Sequence, residues 1–183
     1  MKKTYIAIPV ILFIIIIGFL LFKNDKKLVP IGASQDQISF DGKNASFIID
    51  SQTITLVNGK AEIIYIPGSA SKDTIMYFGN EARGDLNGDG LEDTAFLITR
   101  DTGGSGLFYY VVVAMKNSDG YKTTNAFLIG DRIAPQSTEI RSKELYVNFA
   151  ERNKDEPMVA IPSQGVTLFL RVTSDGILEK TIK

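Results

Sequence analysis

Oxygen-bearing residues recur at alternate positions of the segment 85–93, whose sequence is DLNGDGLED. Loops with this spacing collect carboxylate, amide and carbonyl oxygens around one calcium ion, and the ninth position often acts through a water. Gly90 stands at the sixth position, where a sharp turn favours a residue without a Cβ. The sequence therefore predicts calcium as a cofactor, and the alternative is an acidic turn without an ion. The predicted ligands are Asp85, Asn87, Asp89, Leu91 through its carbonyl, and Asp93.

Calcium takes about six to eight oxygen ligands, so this loop needs more donors than its own side chains supply. Glu81 lies just upstream and is a candidate for a further ligand. Asp101 is not, because it follows Asp93 by eight residues, which is about 26 Å along an extended strand.

The segment 101–106, DTGGSG, is the second stretch that could carry chemistry. Phosphate-binding glycine loops open a helix and carry a lysine, whereas here an apolar, strand-like run follows. Ser105 cannot belong to the usual nucleophilic triad, because the chain contains no histidine. We therefore expect 101–106 to be a hairpin connection between two strands.

Charged residues cluster in two later segments, Asp131-Arg132 and Arg152 with Asp155-Glu156. Two carboxyls about 5 to 9 Å apart across a cleft could hydrolyse a glycoside. The alternative is that these residues are solvated or form an internal ion pair. If the domain has a recognition surface, we expect it on the loops 131–136 and 153–164, because binding groups are often carried by loops on a rigid scaffold.

The loop DLNGDGLED, followed by the run TAFLIT, resembles the calcium loops of FG-GAP repeats and, more distantly, those of dockerins and EF-hands. The resemblance implies a structural ion. Position 12 of an EF-hand is a bidentate glutamate, but here it is Phe96, and the motif occurs once rather than in repeated propeller blades. The wider stretch from Pro67 to Ile140 is similar to small exported bacterial domains and lipoproteins without an assigned activity, which implies a location and a fold but no reaction.

Turn-forming pairs divide the rest of the chain into segments of strand length. Asn58-Gly59 between two apolar runs is a strong hairpin signal. Similar breaks occur at 118–120, 142–143 and 174–176. No stretch after the first apolar run has helical spacing, so we predict an all-β fold: an antiparallel sandwich or barrel-like domain of about nine to eleven strands.

Two runs, 94–99 and 107–115, are apolar at both odd and even positions. A strand with one solvent-exposed face alternates apolar and polar residues. These runs do not alternate, so we expect both faces of these strands to be covered. The acidic segment 85–93 leads directly into the first run, which would connect a bound ion to the core.

Tyr5 to Phe22 contains eighteen residues without a charge, flanked by lysines. As a helix it would extend about 27 Å, close to the thickness of the bilayer core. The alternative is a cleaved signal peptide, but the run lacks the small-residue cleavage pattern. We predict an N-terminal transmembrane anchor at 1–27, a linker at 28–36 and an exported domain at 37–183. A weak calcium loop would be empty in a calcium-poor cytoplasm, which also favours a domain outside it.

After residue 27 the chain carries 15 Lys and Arg against 20 Asp and Glu. Nucleic-acid binding requires a basic face, so this balance argues against it. With no histidine and no cysteine, we expect a membrane-anchored, non-catalytic binding or structural domain whose partner is an envelope protein or a glycan. The alternatives are an envelope hydrolase with a carboxylate pair and an inhibitor or regulator of an envelope enzyme.

Overall fold

The computed structural model describes residues 39–64 and 72–181, which form one short 3₁₀ helix at Gly42–Asn44 and twelve β-strands. The strands are β1 (Ser46–Ile49), β2 (Gln52–Thr55), β3 (Lys60–Ile63), β4 (Asp73–Gly84), β5 (Asp93–Asp101), β6 (Leu107–Asn117), β7 (Gly120–Thr123), β8 (Phe127–Asp131), β9 (Ala134–Arg141), β10 (Glu144–Glu151), β11 (Gln164–Val172) and β12 (Leu178–Lys180). All strand pairs within the sheets are antiparallel, so the predicted all-β antiparallel class is confirmed.

The strands form three sheets. The largest has the order β3-β4-β5-β6-β7, with β8 also paired to β6; a four-stranded sheet has the order β12-β11-β10-β9; and β1 pairs with β2. Neighbours in sequence are mostly neighbours in a sheet, because short turns connect antiparallel strands directly.

Strand β5 lies between two apolar clusters. Ala95 and Leu97 belong to a cluster shared with the four-stranded sheet, through residues such as Leu145. Phe96 and Ile98 point to the opposite side, into a second cluster. Seven consecutive residues of β5 are buried, so the prediction that both faces of this strand are covered is confirmed.

The β1–β2 hairpin covers the second face of the large sheet. Phe47 and Ile54 pack there around Phe96, and the rings of Phe47 and Phe96 meet edge to face at 6.3 Å. Because these side chains are buried there, β2 pairs with β1 and not with β3, which follows it in sequence. The turn at Asn58-Gly59 is formed, with positive φ at both residues, but the predicted pairing across it is wrong beyond the single pair Val57–Lys60.

Two other regions differ from the predicted pattern. The break at 118–120 predicts one strand after it, at 121–129, but this segment is divided between β7 and β8. Strand β4, which the sequence did not predict, is irregular between Tyr77 and Ala82. Gly79 and Asn80 both have positive φ there, so the alternation of side chains shifts within the strand.

No helix in the described ranges is long and apolar enough to cross a membrane. The predicted anchor at 1–27 and the predicted linker at 28–36 lie outside the described residues.

Candidate functional site

The predicted calcium ligands lie where β4 turns into β5, and we call residues 85–93 the acidic loop. Gly84 and Asp93 pair at its base. Gly88 and Gly90 have φ of 85° and 83°, in the left-handed region that a Cβ penalises. The glycines of the sequence motif therefore stand where the backbone reverses direction.

The side chains of the acidic loop accept hydrogen bonds from its own backbone. Asp85 accepts from the N–H groups of Gly88 at 2.6 Å and Gly90 at 3.0 Å. Asp89 accepts from the Leu91 N–H at 2.8 Å and from the Asn87 amide at 2.8 Å. These two donors hold the pKa of Asp89 below its ordinary value, with the Asn87 amide as the larger cause. A carboxylate has about four acceptor positions, so each still has capacity for a cation.

Asp93 is fully buried at the start of β5. One of its oxygens accepts the N–H of Leu86 and the other that of Lys116, both at 2.9 Å. Burial raises the pKa of Asp93, these hydrogen bonds oppose the shift, and the negative charges of Asp89 and Asp85 add to it. Asp93 thus connects the acidic loop to the end of β6, and the pKa of its carboxyl depends on the charge of the loop.

The donor set suits a hard cation, because every predicted ligand offers oxygen. In the described part of the chain, however, no three acidic side chains are gathered closely enough to hold an ion. Glu81, the candidate further ligand, instead accepts from the Tyr77 hydroxyl at 2.6 Å and lies 3.7 Å from the Arg83 guanidinium. Calcium binding therefore stays a prediction, and it requires the loop carboxylates to turn toward one point.

A lysine from the other sheet lies against the acidic loop. Lys143 belongs to the β9–β10 turn, and its side chain occupies the space that a Cβ on Gly88 would need. The sequence predicted this turn at 142–143, but the contact between the two turns joins residues far apart in the chain. Lys143 thus brings its ammonium group against Gly88 of the acidic loop.

A cleft of about 300 Å³ opens beside the acidic loop, between it and the turn that joins β11 to β12. Asn87 and Asp89 form one wall, and Lys116 and Lys122 are also exposed to it. Sequence reasoning missed this cleft, because its walls come from the acidic loop, from β6 and β7, and from the β11–β12 turn, which share no motif.

The other candidate residues lie at the opposite end of β5. Asp131 accepts the Leu107 N–H at 2.9 Å and pairs with Arg132 at 2.7 Å. Leu107 in turn pairs with Asp101, the last residue of β5. The predicted hairpin connection at 101–106 is confirmed, and Ser105 lies exposed within it.

Arg152 joins the two loops that we considered for recognition. Its guanidinium donates to the carbonyls of Arg132 at 3.2 Å, Asp131 at 3.4 Å and Ala160 at 3.4 Å. Arg152 therefore holds the start of the segment 131–136 to the segment 153–164.

Two of the three carboxyls considered for glycoside hydrolysis, those of Asp131 and Glu156, have pKa values shifted in the wrong direction for a general acid, whose pKa must be raised. The hydrogen bond from Arg132 lowers the pKa of Asp131, and the N–H of Asn153 lowers that of Glu156. Both side chains are also engaged in holding their own loops. This geometry favours the structural interpretation of the charged residues.

Replacing Asp131 by asparagine should destabilise the domain by about 1.5 kcal/mol near neutral pH, because charged hydrogen bonds are lost. Since the native pKa of Asp131 lies below its ordinary value of 3.8, the parent holds this advantage above that value and loses it as pH falls through the native pKa. Urea unfolding of both proteins between pH 3 and pH 7 measures the difference. Asp155→Asn, at an exposed position, is the control and should change stability by less than about 0.5 kcal/mol. A difference that stays constant down to pH 3 would contradict the assignment.

Comparisons of the chain with family models, with curated proteins and with solved structures found no match.

Proposed function

We propose that the chain is a membrane-anchored, extracytoplasmic, non-catalytic binding or structural domain. Its β-sandwich carries one structural calcium site at Asp85, Asn87, Asp89, Leu91 and Asp93. The membrane is reached through the helix proposed at 1–27, and the partner is an envelope protein or a glycan.

The position of Asp93 carries this proposal. Its buried carboxylate connects the acidic loop to β6, so an ion held by the loop would stabilise the junction of the two most buried strands. The negative charges of Asp85 and Asp89 also raise the pKa of Asp93, and a divalent cation would relieve that repulsion. The likeness of the loop to FG-GAP calcium loops supports the same role.

A non-catalytic role is supported by the state of the acidic groups. Asp131 and Glu156 have lowered pKa values and hold backbone N–H groups. A hydrolase needs a carboxyl that donates a proton at neutral pH, and both shifts oppose that role for these two residues. The other alternative, an inhibitor or regulator of an envelope enzyme, is compatible with this chemistry because it needs a surface rather than a proton donor.

Calcium titration of the full chain in detergent micelles tests the ion site. At free calcium about ten times Kd, binding should add about 1.4 kcal/mol of stability, and raise the melting temperature by about 3–6 °C over a chelator control. We expect one site by calorimetry, with a Kd of about 10⁻⁴ to 10⁻³ M.

Asp85→Ala and Asp89→Ala should abolish both the heat and the thermal shift. Glu92→Gln is the matched control, because it removes a charge from the same loop at a position outside the ligand set; it should bind calcium like the parent. If the parent shows no heat and no shift in several millimolar calcium, the acidic loop is a metal-free turn and the calcium part of the proposal fails.

A further inference from the structure

The cleft beside the acidic loop has the size and the lining of a site for a small molecule. Its volume is about 300 Å³, at the lower end of the range for ligand pockets. Met115 and Val172 contribute apolar surface to the cleft, and both pack against the apolar cluster shared with the four-stranded sheet. The remaining lining residues are mostly polar or charged. Apolar surface combined with a few polar groups is the arrangement typical of ligand pockets.

The charged residues of the cleft carry both signs. Asp89 and Asp175 supply two carboxylates, and Lys116 and Lys122 supply two ammonium groups. The formal charges of the lining residues therefore balance. The lysines repel a bare metal cation and the carboxylates repel an inorganic anion. The charges of the cleft are complementary instead to a ligand that carries one ammonium and one carboxylate.

Two of these charged groups have no partner within the described part of the protein. The carboxylate of Asp175 and the ammonium of Lys122 are exposed, and neither makes a hydrogen bond or an ion pair with a described residue. They do not pair with each other, although they line the same cleft. Asp89, by contrast, already accepts the Leu91 N–H and the Asn87 amide. A ligand can therefore bind Asp175 and Lys122 without breaking a contact inside the protein.

The turn that carries Asp175 is held by hydrogen bonds. The Thr173 hydroxyl accepts the Ile177 N–H at 3.1 Å, and the Thr173 N–H donates to the Ile177 carbonyl at 2.8 Å. Beyond the turn, the Leu178 N–H donates to the Asn125 side chain at 2.8 Å. This wall of the cleft is therefore ordered before a ligand binds, which lowers the entropy cost of binding.

Lys122 is positioned by the β6–β7 hairpin. It lies opposite Met115 in the register of the two strands, so their side chains lie on the same face of the sheet. The turn of this hairpin is held by Asn117, whose side-chain oxygen accepts the Asp119 N–H at 2.9 Å. Met115 and Lys122 thus offer neighbouring apolar and cationic contacts to one ligand.

A neutral polar ligand, such as an uncharged sugar, suits the cleft less well. A ligand that fills the cleft removes water from the charged groups, and a charge without water or a partner is costly. A ligand with two opposite charges supplies a partner to Asp175 and to Lys122 at once. Such charge-assisted hydrogen bonds are stronger than neutral ones.

We infer that the cleft binds a small zwitterion, with the ligand's ammonium on Asp175 and its carboxylate on Lys122. Free amino acids and short peptides share this chemistry, and the apolar surface of Met115 and Val172 favours a ligand with an apolar side chain. The inference goes beyond the proposed function, because it assigns a ligand site that needs no ion in the acidic loop.

The test is a titration of the full chain in micelles, followed by protein amide NMR, with a chelator present so that no calcium is bound. The probes are leucine, for a free amino acid, and leucylglycine, for a short peptide. We expect saturable one-site binding of at least one probe, and the tighter of the two identifies the source. The controls are 4-methylpentanoate, which lacks the ammonium of leucine, and 3-methylbutylamine, which lacks its carboxylate. Each should bind at least fivefold more weakly than the bound probe.

Asp175→Asn and Lys122→Gln should each weaken binding of the zwitterion at least fivefold. Asp155→Asn and Lys154→Gln remove the same charges from exposed positions outside the cleft, and each should change binding by less than twofold. The exchange variant Asp175→Lys with Lys122→Asp should bind the zwitterion more tightly than either single variant, because the ligand can bind in the reverse direction.

The inference is overturned if neither probe binds at tens of millimolar, if a singly charged control binds as well as the zwitterion, or if the cleft variants bind like the parent. Equal losses in the cleft variants and in their controls would also overturn it. Asp85→Ala, which should abolish calcium binding, should leave zwitterion binding in chelator unchanged within twofold. Failure of the ion site and failure of the cleft are therefore distinguishable.

Discussion

Replacing Asp93 by alanine should destabilise the folded domain by about 4 kcal/mol, even in the presence of a chelator. The carboxylate is fully buried and accepts the N–H groups of Leu86 and Lys116. Each buried N–H that loses its acceptor costs about 1–3 kcal/mol. The melting temperature should fall by about 8–16 °C, measured by thermal unfolding of the full chain with far-ultraviolet circular dichroism.

The comparison with Asp85→Ala makes this prediction specific. Asp85 also accepts two N–H groups, from Gly88 and Gly90, but these hydrogen bonds are exposed. In chelator, Asp85→Ala should therefore cost about 1 kcal/mol or less, because water can replace the lost acceptor. Equal losses for the two variants would show that Asp93 does not connect the loop to the core.

The same pair of variants separates two roles within one motif. If calcium binds, Asp85→Ala removes the calcium-dependent part of the stability, and Asp93→Ala removes a larger part that needs no ion. The spacing in the sequence assigned both residues to a single role, as ligands. Only the fold shows that the ninth position is placed beside the N–H of Lys116, 23 residues away.

The central strands could be predicted because consecutive apolar residues indicate that both faces of a strand are buried. Phe96 and Leu97 are adjacent and both apolar, which a strand with one wet face does not tolerate. The turns at Asn58-Gly59 and at Gly176 were also predictable, since these residues adopt positive φ. Asn and Gly enter that region at low cost, so their positions indicate where the chain reverses.

Pairings between distant strands were not predictable in the same way. The pattern around Asn58-Gly59 favours a simple hairpin, but β2 pairs with β1 so that Ile54 and Leu56 reach the core. The local hairpin signal is thus overridden by apolar burial, which depends on the whole fold. Strand β4 escaped detection because its bulge at Gly79 and Asn80 interrupts the alternation that marks a strand.

The candidate site was only partly predictable for a related reason. The sequence identified the acidic loop and the two loops 131–136 and 153–164, since each has its own composition. It could not show that Arg152 joins the latter two, or that Lys143 lies against Gly88. Such contacts join turns from different sheets, and no periodic pattern along the chain predicts them.

The ion pair of Arg100 and Asp73 is another long-range contact, and its removal has a large expected effect. Arg100 Nε lies 2.6 Å from Asp73, whose side chain is buried, and its Nη1 lies 2.7 Å from the exposed Asp50; the Arg100 side chain itself is 14 % exposed. Asp50 belongs to the turn between β1 and β2. Arg100 therefore connects the hairpin that covers the sheet to the sheet itself, across 50 residues of sequence.

Arg100→Leu should destabilise the domain by about 3–5 kcal/mol, because the buried Asp73 carboxylate loses its guanidinium. Urea unfolding of the full chain in micelles at neutral pH measures the loss. Asp50→Asn is the control: the Asp50 carboxylate is exposed, and an ion pair in water contributes about 0–1 kcal/mol, so the loss should stay within that range.

The double variant Arg100→Leu with Asp73→Asn distinguishes the loss of a favourable pair from the cost of an uncompensated charge. If the uncompensated Asp73 carboxylate causes most of the loss, neutralising it should restore at least about 1 kcal/mol relative to Arg100→Leu alone. If the double variant is no more stable than the single one, Arg100 stabilises the domain mainly through Asp50 and its other contacts. In that case the hairpin, rather than the buried carboxylate, depends on the guanidinium, and Asp50→Asn should then cost more than an exposed pair normally does.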